Sequence, residues 1–170
     1  MPMERRQRDS IVIRLAEESD SEQIWSIFHA IVKKGDAYPF APATTKEQAK
    51  EMWYGKHIRT YVAVVDGRVD GTYILKPNQP GLGSHVSNAA FMVNPVTDAK
   101  GIGTKMVEHA LDEARLLKYK AMQFNFVVST NERAIALWKR HGFSIIGISP
   151  KAYNHAQHGL VDVLIMHRFL

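Results

Sequence analysis

The sequence predicts an α/β fold in which a mixed β-sheet is covered by helices, with a parallel strand–helix–strand unit at its centre. Three observations carry that expectation. Apolar strand-like runs alternate along the chain with runs of helical spacing. An Asp66-Gly67 pair separates two β-branched runs, a strong signal for a tight hairpin. From Ser87 to Gly142 an apolar strand, a glycine turn opening an amphipathic helix, a second strand and a second helix follow one another. With 170 residues, 45% hydrophobic and 23% charged, the chain has the length and balance of one globular domain, expected over 11–170 after a charged tail at 1–10.

Ile11-Val12-Ile13-Arg14-Leu15 reads as the first strand. Ser19 and Asp20 are placed to cap a helix in which Ile24, Ile27, Phe28, Ile31 and Val32 recur at helical spacing, with Gly35 as its stop. Residues 35–42 form a loop carrying aromatics, and Thr44 or Thr45 starts a second helix that runs to about Tyr54. The hairpin joins strands at 60–65 and 69–75. Residues 76–83, with two prolines and two glycines, read as loop rather than ladder. A strand over 86–93 ends before Pro95.

The helix from Ile102 to about Leu117 presents Met106, Val107, Ala110, Leu111, Ala114 and Leu117 as one apolar stripe. The next strand, 122–128, alternates: Met122, Phe124, Phe126 and Val128 face one way, Gln123, Asn125 and Val127 the other. Ser129 and Glu132 have capping-box spacing, which places Asn131 at a helix start. That helix carries Ala134, Ile135, Leu137 and Trp138 and stops at His141-Gly142. Strands at 143–148 and 160–169 close the chain, the latter as an exposed edge.

Composition narrows the function. The formal charge is +5, from 22 Lys and Arg against 17 Asp and Glu, and the basic residues are scattered rather than striped. A small anionic ligand is therefore expected and a nucleic-acid partner is not. The absence of cysteine excludes disulfides, thiolate nucleophiles and cysteine-ligated zinc. No apolar run approaches the roughly 20 residues that span a bilayer, and the charged start lacks the apolar core of a secretory signal. A cytoplasmic location without a membrane partner is expected. His155 and His158 sit three apart in a loop-like stretch without a third ligand, so they read as exposed polar loop and no metal is expected. Ser129 has no His–Asp arrangement around it, which argues against hydrolase chemistry. Trp25, Trp53, Tyr38 and Phe40 are candidates for a substrate lid, although packing accounts for the two tryptophans equally well.

Chemistry centres on Lys100-Gly101-Ile102-Gly103. A glycine turn at a helix start presents unpaired N–H groups, and the helix dipole adds positive potential, which suits a phosphate or pyrophosphate. Gly-x-Gly alone is not specific, and neither the six-residue dinucleotide pattern nor a Gly-Lys-Ser/Thr sequence is present. The placement of the turn between an apolar strand and an amphipathic helix is what points to an anionic, nucleotide-like cofactor.

The element order, the Gly101-x-Gly103 turn after a Val-Asn-Pro strand exit, and Asn131-x-x-Ala134-x-x-Leu137-Trp138 before Gly142-Phe143 resemble the GNAT N-acetyltransferases over 11–170. Within that family, Ile74-Leu75-Lys76-Pro77-Asn78, Asn88-Ala89-Ala90-Phe91, Phe124-Asn125-Phe126 and Ser129-x-Asn131 look like the fungal acetyltransferases that act on proline analogues such as azetidine-2-carboxylate. The resemblance implies a mostly antiparallel sheet whose central parallel strands splay apart. It also implies acetyl-CoA as cosubstrate in the gap, and direct acetyl transfer to the amine of a small molecule. Cofactor binding is implied for Phe91, Met92, Val93, Lys100, Gly101, Ile102, Gly103, Thr104, Asn131, Ala134 and Leu137. Catalytic roles are implied for the Phe91 backbone amide and for Asn131, and substrate binding for Asn88 and the backbone amides of Asn125 and Phe126.

Two positions depart from the family pattern. Asp98 stands where Gln or Arg is usual, and an acid near a pyrophosphate is expected to cap the helix or face solvent, with Lys100 and Lys105 supplying positive charge. Trp138 stands where a general-acid tyrosine is frequent, and an indole cannot protonate a thiolate, which leaves Asn131 or a water to assist. The alternatives are an acetyltransferase acting on protein lysines and a non-catalytic module binding coenzyme A or nucleic acid. A homodimer is the expected assembly, since two-fold pairs are the commonest oligomers.

Overall fold

The hairpin forms as its turn residues demand. Asp66 and Gly67 both take positive φ, 49° and 79°, the pairing that matches the twist of two antiparallel strands. These strands, β2 (Arg59–Val65) and β3 (Arg68–Pro77), belong to a computed structural model that describes residues 10–170. Apart from Ser10, the tail expected at 1–10 lies outside the described residues. The remaining elements are β1 (Ile11–Leu15), α1 (Ser21–Val32), α2 (Lys46–Tyr54), β4 (Val86–Val93), α3 (Ile102–Leu116), β5 (Ala121–Val128), α4 (Glu132–Arg140), β6 (Ser144–His155) and β7 (Gly159–Phe169).

Among the described residues seven strands form one sheet in the order β1-β2-β3-β4-β5-β7-β6. Every neighbouring pair is antiparallel except β4 and β5, which are joined through α3 and run parallel. Helices cover both faces. Ile24, Ile27, Phe28 and Trp53 from α1 and α2 pack on Val62, Val69, Ile74 and Met92. On the opposite face Ile102, Met106, Val107 and Ala110 of α3 and Trp138 of α4 pack on Tyr61, Tyr73, Leu75 and Ala89. Alternate residues of β2, β3 and β4 thus feed two cores, which is why apolar residues follow one another without alternation over 61–65, 73–75 and 89–93. Among the described residues no helix is long and apolar enough to cross a membrane.

Several expectations are corrected by the structure. The ladder continues through Lys76 and Pro77, which pair with Asn88 and Ser87, where a loop is expected. Asn78 N donates to Val86 O at 2.8 Å, so the Pro77 nitrogen faces the other side, beyond the Arg59–Leu75 pair where β2 begins. A missing donor costs nothing there. Asp20 precedes α1, but its carboxylate does not cap the helix; it accepts from Arg14 at 2.7 and 3.0 Å and from Glu17 N at 2.7 Å. The Arg14 guanidinium consequently holds the Asp20 carboxyl below the usual range. The cap of α4 is Asn131, whose Oδ1 accepts from Ala134 N, and not a Ser129–Glu132 box.

The C-terminal strands also differ. β6 runs to His155 instead of ending at 148, because pairing resumes beyond a bulge at Pro150 to Ala152 where Lys151 takes φ 50° and its N–H is accepted by the Asp162 carboxylate at 2.9 Å. His155 is therefore not an exposed loop residue: it ends a strand at 6% exposure, and its Nδ1 accepts from Gln157 N and His158 N. The edge strand is β6, not β7, since β7 lies between β5 and β6.

Candidate active site

β4 and β5 are paired only at Val86–Ala121 and Ser87–Met122, and then they part. Ser87 Oγ donates to Ala121 O at 2.9 Å, and Asn88 Nδ2 donates to Gln123 O at 2.9 Å. Asn88 therefore bolts the strands at the point where the split begins. β4 remains paired with β3 out to Val93–Gly71. The bonds Asn78 N to Val86 O and Asn94 N to Asp70 O set the phase of that ladder, so even-numbered β4 residues address β3. The N–H and C=O of Phe91 consequently face the gap. Met92 does not serve it: its backbone is turned to β3 and its side chain is buried against α1 and α2.

A bulge in β5 deepens the opening. Phe124 pairs with Met166 and Val127 with Leu164, so β5 carries one residue more than β7 across this interval. The slip breaks the expected alternation: Val127 joins Phe124 in the core under α3 and α4, while Phe126 and Val128 pack with Tyr153 on the other face. Asn125 and Phe126 have no strand partner in β4 or β7. The Asn125 side chain meets Asn78 Oδ1 at 2.6 Å and Gln123 Nε2 at 3.0 Å, tying the bulge to the end of β3.

The gap lies in a cleft of about 1270 Å³. Except for Met92, every residue implied for cofactor or substrate lines it: Asn88, Phe91, Val93, Lys100, Gly101, Ile102, Gly103, Thr104, Asn125, Phe126, Asn131, Ala134 and Leu137. At the mouth Gly101 takes φ 83° at the N-cap of α3, and a Cβ added there would meet nothing within 4 Å. The first-turn N–H groups of α3 are left without intrahelical partners. Lys105 does not line the cleft, whereas Lys76, Arg133 and Arg140 do. Arg133 and Arg140 lie seven apart on α4, a spacing that places them on one face and that sequence reading passed over.

A buried carboxylate holds the loop that enters the glycine turn. Asp70 is the extra residue of a bulge in β3, opposite Ala63 and Val64, and is 0% exposed. It accepts from Arg68 Nε and Nη2 at 2.8 Å each, Asn94 Nδ2 at 3.1 Å and Thr97 Oγ1 at 2.7 Å. Asn94 and Thr97 in turn accept from Val96 N and Ala99 N. Burial pushes the Asp70 carboxyl up, but the bonds from Arg68, Thr97 and Asn94 outweigh it and leave the carboxyl below its ordinary value. Asp98 is exposed and does not cap α3, where Gly101 holds that position; its charge acts on Arg68. Gly71, next to the bulge, lets α3 approach, since a Cβ there would meet Ile102 Cγ2 at 2.8 Å.

Of the lid candidates, Tyr38 and Phe40 line the cleft. Trp53 is core, its Nε1 donating to Thr72 Oγ1 at 3.0 Å, and Trp25 packs between α1 and α2. Trp138 is also core, against Phe91, Phe124 and Phe143. Tyr38 Oη donates to Phe91 O, so a phenol stands in the gap itself.

Residues 24–143 match the model of the acetyltransferase (GNAT) family. The chain is 38% identical to N-acetyltransferase aca1 of Schizosaccharomyces pombe, across 79% of this chain and 72% of that protein. It superimposes on a GCN5-related N-acetyltransferase from Kribbella flavida with a TM-score of 0.89 and 40% identity, covering 94% of this chain and 98% of the other. The fold is shared with yncA from Salmonella typhimurium, solved with its cofactor acetyl-CoA, at a TM-score of 0.82 and 23% identity over 95% of each chain.

Proposed function

The chain belongs to the GNAT acetyltransferase family, and from that premise we propose that it transfers an acetyl group from acetyl-CoA to the amine of a small amino acid of the proline type. The observation that carries this reading is the parting of β4 and β5 after Ser87 and Met122, which turns peptide groups of both strands into an open cleft. Acetyl-CoA supplies the activated acetyl group. The first turn of α3 suits its pyrophosphate, with Lys100, Arg133 and Arg140 adding positive charge along the same cleft. The acetyl-CoA bound by yncA supports the same cosubstrate here.

The acceptor is read from the other end of the gap. Adjacent backbone amides at Asn125 and Phe126 without strand partners suit a carboxylate. Asn88, already donating to Gln123 O, retains its side-chain oxygen for the substrate amine. Tyr38 and Phe40 line the cleft, with Tyr38 against Phe91, which favours something small over an extended peptide. A free amine with a pKa near ~10 is mostly protonated at neutral pH, so the attacking form arises by proton loss to water in the cleft. The nitrogen then bonds to the acetyl carbon, the C–S bond breaks with its electron pair on sulfur, and the proton leaving nitrogen balances the one the thiolate gains. Phe91 N–H faces the carbonyl oxygen. Asn131 Oδ1 is occupied by Ala134 N, which leaves Nδ2 as a donor to the departing sulfur.

A thiol-release assay over cyclic imino acids, linear amino acids, polyamines and basic peptides tests the proposal. Release with the imino acids is expected. Release with basic peptides alone would replace it by acetylation of protein lysines, and binding of acetyl-CoA without release across the panel would leave a non-catalytic carrier. Asn131→Ala is expected to lower kcat by tenfold or more at little cost in KM, whereas Asn88→Ala raises the acceptor KM by about tenfold. Small, equal effects from both would count against these roles.

A further inference from the structure

Resting on the acetyl-transfer reading, we propose that Tyr38 is a catalytic residue whose phenolic O–H joins the Phe91 backbone N–H as a second donor to the thioester carbonyl oxygen. Tyr38 Oη already donates to Phe91 O, a carbonyl that points into the gap rather than to β3. In an extended residue the N–H and C=O of one residue lie on the same side of the strand, about 3 Å apart. A phenol one hydrogen bond from Phe91 O therefore stands beside the space that an oxygen accepting from Phe91 N–H would fill, and its single O–H turns from Phe91 O to that oxygen when the thioester binds. Two donors meet on a single oxygen when they are less than about 5.6 Å apart, twice a hydrogen-bond length.

The surroundings hold the phenol there. The Tyr38 ring stacks on Phe40 at 6.1 Å and 4° between planes, and Phe40 stacks on the buried Phe28 at 5.3 Å. The loop is pinned from the β6–β7 hairpin: Ala156 N donates to Gly35 O at 3.0 Å, and the Tyr153 hydroxyl lies against the backbone amides of Ala37 and Tyr38. Gly35 turns with φ 64°, bringing Ala156 within 3.2 Å of where a Cβ would stand. Desolvation raises the Tyr38 pKa, which keeps the proton on oxygen at neutral pH. The phenol thus serves as a hydrogen-bond donor that retains its proton through the reaction, stabilising charge as it grows on the carbonyl oxygen. Behind Phe91 the Trp138 ring of α4 packs at 5.2 Å, backed in turn by Phe124 and Phe143, which fixes the strand that the phenol meets.

The test is Tyr38→Phe, which keeps the ring and its stacking. Acetyl-CoA carrying carbon-13 at the carbonyl is bound to each protein and its resonance recorded by NMR. In the unaltered protein the carbonyl signal is expected to move downfield of free acetyl-CoA, and in the variant a large part of that displacement is lost while the dissociation constant stays within about threefold. With an acceptor present, kcat falls ~10²-fold and KM for acetyl-CoA holds. Equal carbonyl displacements in the two proteins overturn the assignment and leave acetyl transfer standing. Failure of the unaltered protein to bind acetyl-CoA overturns the acetyl-transfer reading itself, and this inference with it.

Discussion

Asp70→Ala is expected to lower stability by about 2–4 kcal/mol and to weaken acetyl-CoA binding tenfold or more. The carboxylate is wholly buried and accepts four hydrogen bonds from three side chains. Removing it strands Asn94 Nδ2 and Thr97 Oγ1 and frees an Arg68 side chain that is already 57% exposed, so the damage falls on the loop more than on the arginine. That loop leads directly into the N-cap of α3, and its residues Asn94, Thr97 and Ala99 border the cleft. A melting temperature lower by roughly 5–15 °C follows from about 2–4 °C per kcal/mol at this chain length. The contribution depends on pH with a definite sign. The native Asp70 pKa lies below its unfolded value, so the stabilisation is complete above about pH 3.9 and disappears as pH falls through the native value. Asp70→Asn should lack that acid-linked component. Thermal melts across pH with a parallel coenzyme A titration measure all three, and a loss under about 0.5 kcal/mol for the alanine variant would dismiss the clamp.

Asp70 also marks what a sequence can and cannot disclose. Helices and strands defined by local signals sit where their residues place them: the Asp66-Gly67 turn, the Thr45–Gln48 capping box of α2 and the apolar stripe of α3 all involve neighbours within four residues. The glycine turn was legible through motif and order, and the parting strands only through the family resemblance. Bulges were not. A one-residue slip at Asn125-Phe126 leaves no trace when Phe124, Phe126, Val127 and Val128 are all apolar, because either face can accept them. The carboxylate at Asp70 sits inside a strand that otherwise reads as apolar, and only the ladder shows that it is the inserted residue aimed at Asn94 and Thr97. Tyr38 depends on still longer connections, since its loop is bonded at Gly35 to Ala156, more than a hundred residues away. The strand order at the C-terminal edge belongs to the same class. A hairpin can insert either arm beside β5, and the choice of β7 follows from three-dimensional packing.

Gly101→Glu is expected to abolish measurable acetyl-CoA binding, a loss of ~10² to 10³-fold, with almost no change in stability. The two effects separate because of where the Cβ would stand. Gly101 has φ 83°, which costs an L-residue about 1 kcal/mol, yet nothing lies within 4 Å of the added atom. A carboxylate at a helix N-terminus recovers about 0.3–1 kcal/mol from the dipole, so strain and dipole nearly cancel. The same carboxylate occupies the opening where a pyrophosphate would meet the first-turn N–H groups. Two like charges about 4 Å apart near a protein surface repel by ~4 kcal/mol, enough for the expected loss. Gly101→Gln separates bulk from charge, and it should retain part of the affinity that the glutamate variant forfeits. Calorimetric titration with coenzyme A beside a thermal melt reads both quantities on one preparation. Binding by the glutamate variant within about threefold of the unaltered protein would mean that the pyrophosphate does not rest on this turn, and the cleft would have to be entered from another side.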